Sequence, residues 1–129
     1  NIVHQKNEQG FTPLVLAGYS NQLESTQYLL DQGVAINEVD AAGNTALMGV
    51  CFKGYLDITK ALIASGSDLN VINHSGATAL IYATMFGQIE IVKVLLEAGA
   101  DKMIKDAQGN IAATHAKLKG WLGIAKLLG

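Results

Sequence analysis

Short apolar stripes at helical spacing, each cut off by a glycine, alternate along this chain with polar stretches of turn-forming residues. The segment from Thr45 to Ala77 shows the pattern most clearly. Leu47, Val50 and Cys51 fall at i, i+3 and i+4, a spacing that puts them on one face of a helix. Thr45 precedes them as an N-cap, with a hydroxyl able to accept from an unpaired amide of the first turn. Gly54 breaks the run. A second helix is predicted over Tyr55 to Ile63, with Leu56, Thr59, Leu62 and Ile63 on one stripe. Gly66 follows where helices commonly end in a left-handed residue. Asp68 to Gly76 is rich in turn formers and leads back to another capping threonine, Thr78. The pattern predicts helix, tight turn, helix, then a projecting turn.

That order returns at a fixed interval of 33 residues, marked by Thr12, Thr45 and Thr78, by Gly10, Gly43, Gly76 and Gly109, and by Leu29, Leu62, Leu95 and Leu128. A period of this size signals a solenoid, in which each unit buries its apolar face against its neighbours. The first unit opens Thr12-Pro13-Leu14, and Pro13 sits at the first helical position, where its missing N–H does no harm. The third opens Thr78-Ala79-Leu80 and closes with Leu95-Leu96 and Gly99-Ala100-Asp101.

These residues carry a family resemblance. Thr12-Pro13-Leu14, Leu23-Glu24, Leu95-Leu96 and Gly99-Ala100-Asp101 resemble the ankyrin repeat, whose units read approximately Thr-Pro-Leu-His, Gly-His-Leu-Glu, Leu-Leu-Leu and Gly-Ala-Asp-Val-Asn. The resemblance implies an all-α solenoid of stacked helix-turn-helix units with projecting β-turn or hairpin loops. It divides a single domain, residues 1–129, into the tail of a preceding repeat (1–11), three repeats (12–44, 45–77 and 78–110) and a C-terminal capping repeat (111–129). The family histidine after Thr-Pro-Leu, which links neighbouring repeats, is replaced by Val15, Met48, Ile81 and Thr114. The stack is therefore expected to lean on apolar packing. Ile111 replaces the capping threonine, and Lys117, Lys119 and Lys126 make the last unit more polar, as suits a cap. The start in mid-unit suggests at least one further repeat upstream.

Composition narrows the function classes. Half of the 129 residues are hydrophobic, 16% are charged and proline occurs once, which argues against disorder. All nine basic residues are lysines, and the net charge is −2. Without arginine the planar fork used to read phosphate and guanine is missing, so nucleic acid is not an expected partner. No apolar run approaches the roughly 18 residues of a membrane span. Asn1-Ile2-Val3-His4 has neither the basic start nor the apolar stretch of a signal peptide. Cytoplasmic residence is the default expectation; the missing initiator methionine leaves an exported form open.

The chemistry-bearing residues do not assemble into a reactive set. His4, His74 and His115 lack a second ligand at metal-binding spacing and read as turn and surface residues. Cys51 shares its place in the repeat with Gly18 and Thr84 and reads as a buried structural thiol rather than a nucleophile. Glu24, Asp57 and Glu90 recur early in the second helices, where they complement the helix dipole. Asn37 and Asn70 share a loop position and are expected to bond their own loop backbone; the resemblance implies that such asparagines can be hydroxylated. Met103 stands at the third equivalent position. No cofactor, metal or catalytic activity is expected.

One row is the least explained by folding, the alternative being that its side chains fold over the helices and pack between repeats. Tyr19, Phe52, Met85 and Leu118 share a position near the end of each first helix, followed by Ser20, Lys53, Phe86 and Lys119. The resemblance places these helix ends and the projecting turns on a concave face where partners bind. Aromatic and Met side chains there read as a protein-binding strip. Phe11, Tyr19, Phe52, Lys53, His74, Met85, Phe86 and Leu118 are the expected partner-binding residues. The expected function is a monomeric, non-catalytic protein–protein interaction module, with no nucleic acid or membrane partner. The alternative is a structural or regulatory segment of a larger protein, packing on further repeats or a fused domain.

Overall fold

The computed structural model describes residues 5–129; His4 lies outside them. Eight helices form four hairpin pairs: α1 (Pro13–Tyr19) with α2 (Leu23–Asp31), α3 (Ala46–Lys53) with α4 (Leu56–Ala64), α5 (Ala79–Met85) with α6 (Ile89–Glu97), and α7 (Ala112–Lys119) with α8 (Leu122–Leu128). No strand occurs among the described residues. The odd-numbered helices make one layer and the even-numbered helices the other, and the odd layer packs more closely from unit to unit. The stack therefore bends toward the odd helices.

Local chemistry sets each helix start. The hydroxyls of Thr12, Thr45 and Thr78 accept from the amides of Val15, Met48 and Ile81 at 3.2, 3.3 and 3.2 Å. Ile111 has no such oxygen, and α7 begins without a side-chain cap. The turn inside each pair uses one left-handed residue. It is glycine at 54, 87 and 120, and in the first unit it is Asn21, with φ +54°. Asparagine tolerates that region better than most residues.

The core is continuous through the stack. α3 is buried all round over Ala46–Cys51, because α1 and α5 cover it on either side and α4 lies behind it. On α4 the buried residues are Ile58, Thr59 and Leu62, whereas the periodicity had favoured Leu56 and Ile63, which are only half-buried. The reason is that α4 is covered by α2 and α6 as well as α3, so its buried arc is rotated from the one a single partner would set. Val15, Met48 and Ile81, which stand in place of the family histidine, are each 3% exposed or less. Burying one such side chain contributes about 1.5–3 kcal/mol.

A polar ladder nevertheless joins the units. The Oδ1 of Asn37 accepts from the amide of Asp68 at 2.8 Å, and that of Asn70 from the amide of Asp101 at 2.9 Å. These asparagines were expected to bond their own loops; they bond the next unit instead, 31 residues on. The projecting turns also touch in series. The amide of His74 donates to the carbonyl of Ala42 at 3.0 Å, and Gly76 lies so close to the following turn that a Cβ on it would stand 2.5 Å from the nitrogen of Ala107.

Candidate docking surface

Each projecting turn is built on one acceptor. Asn7, Asp40, Asn73 and Asp106 stand at the repeat interval, three residues before Gly10, Gly43, Gly76 and Gly109. In every case Oδ1 accepts from the amides two and four residues on, at 2.9–3.0 Å. This is an Asx turn, in which a short side chain takes over the hydrogen bonding that a strand would otherwise provide. The signal was present in the sequence as a 33-residue interval, blurred by the alternation of amide and carboxylate.

In the third and fourth of these turns the other half of the Asx group meets the helix nine residues later. Asn73 Nδ2 donates to the hydroxyl of Tyr82 at 2.6 Å and to Oδ1 of Asn44, in the preceding turn, at 2.8 Å. With both oxygen and nitrogen engaged, Asn73 is fully satisfied at 6% exposure. In the last unit the pair becomes Asp106 and His115, with 2.6 Å between Oδ2 and Nε2. His115 is therefore not the free surface residue expected from sequence. Its side chain is 15% exposed and held against a carboxylate, because the turn folds back over α7. Burial alone would raise the Asp106 carboxyl, but hydrogen bonds from the Asn110 amide, His115 and the Gln108 amide outweigh it and hold it below its ordinary range.

The second unit breaks this series. The residue nine after Asp40 is Gly49, and the ring of Tyr19 from the preceding unit takes the vacant place. A Cβ on Gly49 would lie 1.9 Å from a ring carbon of Tyr19. Burial, and then the charges of Asp40 and Tyr82, raise the Tyr19 phenol above its ordinary value. Phe11 meets Tyr19 edge-on at 5.4 Å and fixes its other side.

The result is an open hollow of about 380 Å³ on the odd-helix layer, lined among others by Tyr19, Asn44, Gly49, Phe52, Lys53 and Tyr82. Phe52 is edge-on to Tyr82 at 6.2 Å and packs against Phe86 at 4.6 Å between ring centroids. Phe52 and Phe86 remain 45% and 46% exposed. Of the residues expected to bind a partner, Tyr19, Phe52 and Lys53 line the hollow directly, with Phe86 and Phe11 in contact with its walls. Met85 is half-buried against the core. Leu118, 75% exposed on α7, and His74, exposed on the turn row, are not among the residues lining it. Gly49 and Tyr82, which shape the hollow, were missed in the sequence, because a glycine inside an apolar helix gives no sign of the ring that will cover it.

Cys51 faces the interior; burial pushes its thiol up to about 12, against a smaller lowering from the neighbouring Thr59 hydroxyl. Among the described residues no three His, Cys, Asp or Glu side chains gather as a metal site, and no helix is long and apolar enough to cross a membrane.

The pattern of ankyrin repeats, in three copies, matches residues 14–106, well over half of the chain. The chain belongs to the ankyrin repeat family. No individual curated protein matches the sequence. Ankyrin repeats are generally protein–protein interaction modules, and the hollow and its aromatic wall lie on the layer toward which this ankyrin stack bends.

Proposed function

We propose that the chain is a non-catalytic interaction module that docks a partner protein on the inner, odd-helix face, with Phe52 and Phe86 at the centre of the contact. The observation that carries this reading is the Phe52–Phe86 pair, two large rings packed edge to face yet each nearly half open to water. Folding gains little from leaving that apolar surface wet, whereas covering it on association is favourable. Aromatic anchors set in a rigid wall lose little side-chain freedom when a partner arrives, and such residues dominate binding energy at interfaces. The chain acts as a monomer in this reading.

Replacing both phenylalanines with alanine tests it. The expected outcome is a loss of roughly tenfold or more in partner affinity, the effect of removing about 1.4 kcal/mol. Because both rings are already half exposed, the thermal midpoint should move by only a few degrees. Undiminished capture by the double variant would remove the assignment.

A second reading has its own observation. Leu118 and Leu122 are 75% and 74% exposed on α7 and α8, beside Trp121 at 42%. A further repeat or a fused domain packing there would make this a structural or regulatory segment of a larger protein.

A further inference from the structure

Resting on that reading of the inner face, we propose that the docked partner is an acidic peptide segment, which places an apolar side chain in the Tyr19–Phe52–Tyr82 hollow and a neighbouring carboxylate on Lys53. The argument is a segregation of charge. The chain carries eleven acidic residues and a net charge of −2, yet α1, α3, α5 and α7 hold none of them. Five sit on the even helices: Glu24, Asp31, Asp57, Glu90 and Glu97. The odd helices carry Lys53, Lys117 and Lys119.

Three of the carboxylates near this layer are engaged, while Glu8 stands exposed on the first turn. Asp40 and Asp106 each accept two backbone amides, and Asp106 also pairs with His115. Glu38 is bridged by Lys6 at 3.1 Å. A row of helices with three lysines and no carboxylate favours acidic partners over basic ones, although the charge of Asp40 also reaches the hollow at Tyr19. Part of the lysine placement follows from the helix dipole, which favours cations in a last turn; that preference is also what puts Lys53 at the hollow's edge.

The hollow separates a peptide from other polyanions. Its walls are three aromatic rings, with Asn44, Met48, Gly49 and Lys53 completing the lining, so it takes an apolar side chain beside a single ammonium. The chain has no arginine for bidentate phosphate contact. The ring positions are fixed beforehand, Tyr82 by Asn73 and Tyr19 by Phe11 and Gly49, so the site presents a formed cleft with a single ammonium at its rim.

Selection of phage-displayed random dodecapeptides on the whole chain tests the proposal. The expected binders have an aromatic or large aliphatic residue flanked by Asp or Glu. Synthetic copies should lose roughly tenfold in affinity for Lys53→Glu, which sets like charges together, and little for Lys60→Glu on α4. Their binding should also weaken as salt rises, since exposed charge pairs are screened. Binders with neutral or basic flanks that are lost on the F52A/F86A double variant would overturn the acidic specificity and leave the docking face standing. Acidic binders insensitive to both that variant and K53E would overturn the face and the specificity together, as would a selection that enriches nothing. Stronger, K53E-sensitive binding to phosphatidylserine vesicles or to an oligonucleotide than to any peptide would overturn a peptide partner.

Discussion

Nε2 of His115 stands 2.6 Å from Oδ2 of Asp106, joining the last projecting turn to the helix behind it. An ionised carboxylate only accepts, so Nε2–H is the donor. The folded state holds the Asp106 carboxyl below its ordinary range. A group depressed in this way stabilises the fold above the unfolded carboxylate value, about 3.9, and that contribution is lost as pH falls through the folded value. Asp106→Asn keeps the Asx turn, as Asn73 shows, but loses the charge. At neutral pH it should cost about 1–2 kcal/mol, and the difference from wild type should shrink on acidification below about pH 4. Urea denaturation across that range measures it; a gap that stays constant with pH would remove the electrostatic explanation.

Gly49 and Tyr19 form a second dependent pair. Alanine in place of a helical glycine ordinarily adds about 1 kcal/mol of helix stability. Here the added methyl would lie 1.9 Å from the Tyr19 ring, so Gly49→Ala should instead cost about 1–3 kcal/mol through forced displacement. In the Tyr19→Ala background the same change should become neutral or stabilising. A double-mutant cycle on thermal unfolding reads the coupling, and simple additivity would show that the ring is not trapped there.

The Asn37 and Asn70 bonds cross between units. Replacing Asn70 with alanine should cost about 0.5–1.5 kcal/mol, the net worth of an ordinary hydrogen bond. Amide exchange at Asp101, 31 residues away, should quicken. If exchange quickened instead within the loop that holds Asn70, the bond would be local after all.

Cys51 is fully enclosed, with its thiol pushed up to about 12. Alkylation of the folded protein should be slow at pH 8 and complete only after denaturant is added. A thiol raised in the folded state leaves stability intact below its unfolded value, about 8.5. Above that value stability drains away as pH climbs toward 12. Fast labelling under native conditions would show that the enclosure opens.

The legible part of this molecule was the part that repeats locally. The cap at Thr45, proline at 13 and glycine at 54 act within one helical turn, so a single unit is enough to read them. The 33-residue interval then supplied the stacking order. What stayed hidden depends on two units at once. Asn70 carries no mark of the amide it will meet, and Gly49 reads as a weak point in an apolar helix until Tyr19 is laid across it. His115 looked free because its partner, Asp106, belongs to a turn whose backfolding the helical pattern does not encode. The stripe on α4 was misplaced for the same reason: the number of neighbours covering a helix decides which residues are buried, and that number is a property of the stack.

The crowding of Gly76 against Ala107 has a consequence for the shape of the whole arc. The turn row forms one rim of the structure, and its pitch is limited by how near two consecutive backbones can come. At Gly76 that spacing depends on a missing methyl group, with 2.5 Å where a Cβ would have to fit. At Gly109 nothing lies within 4 Å. A larger residue at position 76 would therefore wedge the rim apart and flatten the cradle, and the same change at 109 would leave its radius alone. The opening of the cradle is adjustable from its edge without touching a single residue of its lining.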